Sequence, residues 1–199
     1  MATIGLDKLF YATITEESVT GIETYGTPVM LARAISAELS IELAEAVLFA
    51  DDGAVYTIKE FKSGTLTLGV DEIGRSAASA LTGSTVDKNG VLISASEDGG
   101  DPVAIGFRAK KANGKYKYLW LYRVKFGIPS ANLQTKGDTI TFSTPSIEGT
   151  VMRRNKTATG NDNLHPWKAE ADEDNEDIGD GVINGWYTAV YEPDFSETP

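Results

Sequence analysis

A mainly β chain, folded as a sandwich or barrel with one short α-helix, is what three observations predict. Residues 115–126 (KYKYLWLYRVKF) place Tyr116, Tyr118, Trp120, Tyr122, Val124 and Phe126 at every even position. That is the two-residue period of a strand with one apolar face, whereas a helix would scatter these residues around its circumference. Turn signals recur between short alternating runs at roughly 10–15 residues, the rhythm of sandwiches and barrels. Only residues 74–82 (GRSAASALT) are helical in character, with Gly83 as their stop. At about two turns this helix has to dock on a sheet to persist.

Residues 9–15 alternate weakly and read as a first strand, and the polar residues 16–27, interrupted by Gly21 and Gly26, as a loop or arm. In residues 34–43, Ile35, Ala37, Leu39, Ile41 and Leu43 alternate with Ser36, Glu38, Ser40 and Glu42. One face of that strand is buried and the other wet. Residues 44–50 are apolar and run into the turn Asp51-Asp52-Gly53. Val47, Leu48 and Phe49 beside a loop tip admit two readings. Either the strand continues into the core, as most apolar runs do, or the loop packs against another subunit. Residues 54–62 and 64–73 read as two strands joined at Ser63-Gly64. Past the helix, Asn89-Gly90 turns into residues 91–96, and residues 97–101 (EDGGD) form a loop.

Asn113-Gly114 reads as a two-residue type I′ hairpin turn, since both central positions need positive φ. It sets Phe107 opposite Trp120, Ile105 opposite Tyr122 and Val103 opposite Val124, all on the aromatic face. Phe107, Tyr118, Trp120 and Tyr122 are then core, and a slip of one residue would turn that face to water. Residues 139–144 and 146–153 read as strands parted by Pro145, a bulge or edge marker. Residues 156–167 are loop-like, and an acidic loop occupies the region near 160–181. Order returns at residues 182–191 (VINGWYTAVY), a terminal strand or a docking segment reaching residue 195, before residues 194–199 fray. No repeat of 20–50 residues is present. Residues 1–199 read as one domain.

The formal charge of −11 is unevenly placed. Residues 1–159 hold 18 acidic and 17 basic residues, a net of −1; residues 160–199 hold 11 acidic residues and one lysine, a net of −10. Binding to phosphate backbones needs clustered Lys and Arg and is not expected. No run of about 18 apolar residues exists to span a membrane, and the N-terminus lacks the pattern of a signal peptide. With no cysteine there are no disulfides or thiolate metal sites. The single histidine, His165, sits in a polar Leu-His-Pro-Trp loop without a positioned partner and reads as a surface or interface residue. A Ca²⁺ loop starting at Asp172 would need Gly and Glu at positions now held by Asp177 and Ile183. No spacing singles out a carboxylate pair for glycoside hydrolysis. Neither an enzyme nor a cofactor or metal is expected. An exposed aromatic face would instead suit a carbohydrate platform.

Residues 121–154 (LYRVKFGIPSANLQTKGDTITFSTPSIEGTVMRR) resemble the C-terminal half of phage major tail proteins, the tail tube subunits of long-tailed, non-contractile phages. The pattern is an aromatic-rich strand, a Pro-containing link, Thr-Lys-Gly-Asp, an alternating strand and Ile-Glu-Gly-Thr, with weaker matches at residues 4–13 and 48–70. The resemblance implies a structural virion protein, folded as a β-sandwich or half-open barrel with one short flanking α-helix, whose homo-hexameric rings stack into a conduit for DNA ejection. It implies localisation in the virion tail after synthesis and assembly in the bacterial host cytoplasm. Other tail proteins (tape measure, tail terminator, distal tail) are the implied partners, and DNA passes without specific binding. Residues 44–56 would contact the next ring through Val47, Leu48, Phe49, Asp51, Asp52 and Tyr56. The N-terminal residues 1–14 and residues 182–195 would reach toward neighbours. Glu38 and Glu42 on the wet strand face are lumen candidates, because an acidic wall repels DNA and lets it slide. The other reading is a carbohydrate-binding β-sandwich module of a virion or surface protein, which predicts a stable monomer with Trp120 exposed.

Overall fold

The computed structural model describes residues 2–16, 22–50, 53–130 and 144–196, and only the backbone of residues 16, 49, 50 and 53–55. Eleven strands and two helical segments are found there. In chain order they are β1 (Thr3–Glu16), β2 (Glu23–Tyr25), β3 (Val29–Ala32), β4 (Ala34–Ala50), β5 (Gly53–Val70), α1 (Arg75–Thr82), β6 (Thr85–Val86), β7 (Leu92–Ile93), β8 (Val103–Lys111), β9 (Tyr116–Phe126), β10 (Ser146–Met152), β11 (Lys168–Asp172) and α2 (Asp180–Gly185). The class is mainly β and sandwich-like. Residues 139–143 of the strand expected before Pro145 lie outside the described residues.

The large sheet is antiparallel and runs β2-β1-β8-β9-β10-β5-β4, with β3 also on β1 and β11 also on β9. β3 pairs with β1 at one end of this path, and β4 pairs with β5 at the other. Arg33 alone separates β3 from β4, so the chain itself joins the two ends and curls the sheet. The Arg33 amide donates to Asp71 Oδ1 (2.9 Å), and the Asp71 amide donates back to the Arg33 carbonyl (3.1 Å). Inside the curl lie Leu9, Leu66, Leu68, Val70, Ile105, Leu121, Val124, Ile147 and Val151, with Ala77 and Leu81 of α1 closing over them. Gly83, at φ 79°, ends α1 in the left-handed cap that lets its amide reach the Ser79 carbonyl.

The β8–β9 hairpin departs from its expected register. The Lys111 amide bonds the Lys115 carbonyl, and the Gly114 amide bonds the Lys111 carbonyl. Three residues, Ala112, Asn113 and Gly114, therefore make the turn, with only Gly114 of the described pair at positive φ (87°). This is the three-residue loop ending in a left-handed glycine, the next commonest hairpin connection after the two-residue one. Pairing shifts by one: Gly106 faces Trp120, Phe107 faces Leu119 and Ile105 faces Leu121. An irregularity between Val103 and Ile105 absorbs the extra residue, so Val103 still faces Val124.

The slip does not expose the aromatic face, because a second layer covers it. Tyr118, Trp120 and Tyr122 pack with Ala12, Ala104, Ala171, Trp186 and Val190, whereas Phe107 belongs to the first core. All four residues expected in the core are buried, but on opposite faces of the sheet. The indole Nε1 of Trp120 donates to the Trp186 carbonyl (3.0 Å), and the Tyr122 hydroxyl donates to the Tyr191 carbonyl (2.8 Å). Trp120 is 0% exposed, so it offers no carbohydrate platform on this face.

Other elements also differ from expectation. Residues 54–73 do not break at Ser63-Gly64; β5 is one strand of 18 residues. Gly64 is there because a Cβ would lie 3.0 Å from the Ser40 carbonyl oxygen of the neighbouring strand. Residues 23–25 of the expected loop form β2, and residues 168–172 of the expected acidic loop form β11. Residues 182–191 are not a terminal strand: α2 and the turn after it lay Trp186 and Val190 on β9.

Candidate assembly surfaces

β4 and β5 outrun the sheet. β10 covers only residues 64–69 of β5, so beyond Gly64 the two strands pair with nothing but each other. The nine further residue steps along β4 from Ile41 to Ala50, at roughly 3.3 Å each, make an arm on the order of 30 Å long. Its side chains at residues 41–48 and 56–60 are exposed. Residues 44–48 therefore do not continue into the core as residues 44–50 could have done; the side chains of residues 49 and 50 lie outside the described ones. Short of the tip, one face of the arm exposes apolar side chains: Leu48 faces Tyr56, and Ala46 faces Ile58, with Leu48, Tyr56 and Ile58 at 58%, 67% and 56% exposure. Val47 is on the other face, opposite Thr57. Asp51, Asp52 and the Phe49 side chain lie outside the described residues. Two cross-strand ion pairs, Glu45 to Lys59 (3.3 Å) and Glu42 to Lys62 (3.4 Å), brace the arm.

A two-stranded ribbon is marginal in water by itself, and this one leaves apolar side chains and both strand edges exposed among the described residues. The irregularity between Glu42 and Leu43 puts Leu43 opposite Phe61 at the arm's root. There the Phe61 ring stacks on Trp167 with centroids 4.5 Å apart and planes 2° from parallel.

The wet face of β4, β5 and β10 is a second surface. Glu38 and Glu148 both face Thr67, forming one row across three strands, and Ser40, Thr65, Thr150 and Lys125 form the next. Among the described residues no cation pairs with Glu38 or Glu148. Glu42 sits farther along, where Lys62 (3.4 Å) and Ser63 (3.2 Å) hold its carboxylate. Two separated strands bring Glu38 and Glu148 together, and only the strand order reveals it. Glu42 is compensated rather than free.

The C-terminal segment is the third surface, and its acids from Glu170 to Asp174 are engaged, whereas Glu176, Asp177 and Asp180 are exposed. Lys111, buried against the hairpin turn, bonds Asp172 (2.6 Å) and Asp174, and Lys117 bonds Glu170 (2.5 Å). Glu173 takes the Tyr116 amide (2.7 Å) and the Tyr118 hydroxyl (2.7 Å). Lys111, followed by Lys115 and Asn113, holds the Asp174 carboxyl down at about 2. Farther on, Arg154, fully buried, gives Nη1 to Glu192 (2.7 Å), with its guanidinium over the Tyr122 ring. The segment is a strap pinned by charge at both ends.

Among the described residues no group of three or more His, Asp or Glu is placed to hold a metal ion. His165 is half-buried on the wall of a cavity at the arm's root, with no carboxylate bonded to its buried Nδ1. No helix among the described residues is long and apolar enough to cross a membrane. No protein-family model matches the chain, and no curated protein matches it.

Proposed function

We propose that this chain is a self-assembling structural subunit, the tail tube protein of a long-tailed, non-contractile phage. The observation that carries the reading is the β4–β5 arm: a long ribbon that exposes Leu48, Tyr56 and Ile58 and whose edges are unpaired among the described residues. Such an arm costs solubility in a monomer and is used when another copy covers it. The resemblance over residues 121–154 points to the same end. Rings form by a repeated heterologous contact, and the arm then carries the contact between successive rings. The wet face with Glu38 and Glu148 suits a wall past which DNA slides, because uncompensated carboxylates repel phosphate.

Negative-stain electron microscopy over a concentration series tests the reading. Rings or tubes appear as concentration rises, and replacing residues 44–56 with a two-residue turn leaves the monomer folded but abolishes tubes. A strict monomer at millimolar concentration would sink the proposal, as would normal-length tubes from the shortened chain.

A further inference from the structure

β2 and the far end of the strap meet around one side chain, Tyr122 of β9. From one side β2 brings Tyr25, whose ring tilts against that of Tyr122 with centroids 6.1 Å apart. Two residues earlier on the same face of β2, Glu23 is fully buried and takes Nη1 of Arg123 on one carboxylate oxygen. From the other side the guanidinium of the fully buried Arg154 lies 4.7 Å from the Tyr122 ring centroid. It gives Nη1 to Glu192 (2.7 Å) and Nη2 to the Thr157 carbonyl (3.1 Å), and the Tyr122 hydroxyl donates to the Tyr191 carbonyl (2.8 Å). Burial pushes the Tyr25 hydroxyl above its ordinary range, while the Arg154 charge beside it acts the other way. Glu23 Oε2, Tyr25 Oη and Arg154 Nε are buried without a hydrogen-bond partner among the described residues.

We infer that β2 and the far end of the strap, residues 186–195, form one cooperative latch, so that neither lifts from the sheet without the other. The latch goes beyond the tube reading and does not rest on it. Its cause is what each part covers. An ion pair shielded from water is broken at high cost, whereas the same pair at the surface is worth little. Tyr25 and Tyr122 flank the site that keeps Arg154 dry. When β2 lifts, water reaches the guanidinium, and its hold on Glu192 falls to that of an exposed pair. When the strap lifts, Tyr122 and Arg154 are wetted, and Glu23 and Tyr25 lose the packing that seats β2. The three orphaned atoms sharpen this response, because a partly satisfied buried network loses further bonds easily once one member leaves. Their cost also puts the latch at the low-stability end of the fold, where segments open before the whole unfolds. Opening uncovers the edge of β1 at residues 14–16, which pairs with nothing but β2 among the described residues.

Hydrogen–deuterium exchange of the full chain tests the coupling. Glu23→Gln keeps the side chain's shape and removes the charge that faces Arg123. Amides of residues 23–25 and of residues 188–195 should then lose protection together, each by about 10-fold or more. Residues 170–174, pinned separately by Lys111, and the core residues 66–70 of β5 should keep theirs. Glu192→Gln should loosen residues 23–25 in turn, since coupling between two sites is reciprocal. Tyr25→Phe removes only a hydroxyl without a partner, leaves the fold intact and should raise protection in both segments. Loosening of residues 23–25 with residues 188–195 unchanged would overturn the inference, as would the converse. So would a loss spread evenly into residues 66–70, or a Tyr25→Phe protein in which one segment or neither responds.

Discussion

Gly106 shows how much one side chain can decide. It faces Trp120, and a Cβ at this position would lie 2.7 Å from the indole ring. Gly106→Ala should destabilise the fold by about 1–3 kcal/mol, the usual range for overpacking. Near-UV circular dichroism should change with it, and an unaltered melting temperature would contradict the packing. The sequence made the strand of residues 116–126 legible, because its period is unmistakable. It did not disclose whether Asn113-Gly114 turns in two residues or three. Both turns use a glycine at positive φ, and the choice depends on what lies on the far side of β9. With Trp186 and Val190 there, both registers bury the aromatic face, so hydrophobic pattern alone could not discriminate between them.

At the scale of elements, the strap and the arm make opposite demands. Under the strap, Trp186 Nε1 and Tyr187 Oη are buried without a hydrogen-bond partner. An unsatisfied buried group of this kind costs about 1–3 kcal/mol, which makes the strap the first part to detach. Its charge pins set the pH at which that happens. Lys111 lowers the Asp172 carboxyl below its ordinary 3.8 and, with Lys115 and Asn113, takes Asp174 to about 2. Folded values below unfolded ones mean stabilisation that is full above about pH 4–5 and fades as pH falls toward 2. Lys111 is raised by the same partners, so its share is present below about pH 10.5 and is lost only above that. Tryptophan emission should therefore shift red between pH 4 and 2 while the far-UV sheet signal persists. Emission unchanged down to pH 2 would count against the strap. The pairing was not legible beforehand, since residues 111–117 and 170–174 meet only through the β9–β11 contact. The arm's apolar residues were legible; its exposure was not, because residues 44–50 have the composition of a core strand.

For the whole molecule, assembly and stability should separate. Leu48→Asp or Tyr56→Asp changes a side chain that touches little of its own chain, so the monomer's stability should move by no more than about 0.5 kcal/mol. Tube formation, followed by sedimentation, should nevertheless be lost. Variants that assemble normally would remove the arm from the interface. Glu38→Lys with Glu148→Lys should leave tubes intact but make them retain short double-stranded DNA at low salt and release it at high salt. Tubes that ignore DNA after this reversal would move the lumen to another face. The excess of ten negative charges in residues 160–199 is misleading as a guide to partners. Much of it is answered by the chain's own Lys111, Lys115, Lys117, Arg154 and Lys156.

β5 is one unbroken strand from the arm tip to the middle of the core, where Leu66, Leu68 and Val70 are fully buried. Any pull on the tip is therefore a pull along this strand, resisted by the ladder to β10 that runs beside it. Bonds loaded in this direction share the tension and must fail together, whereas a strand peeled sideways loses them singly. A filament joined through such arms would bend at the seats of its tips and yield there before its subunits unravelled. Forced extension should then show small, evenly spaced ruptures between subunits, well below the force at which β5 slides.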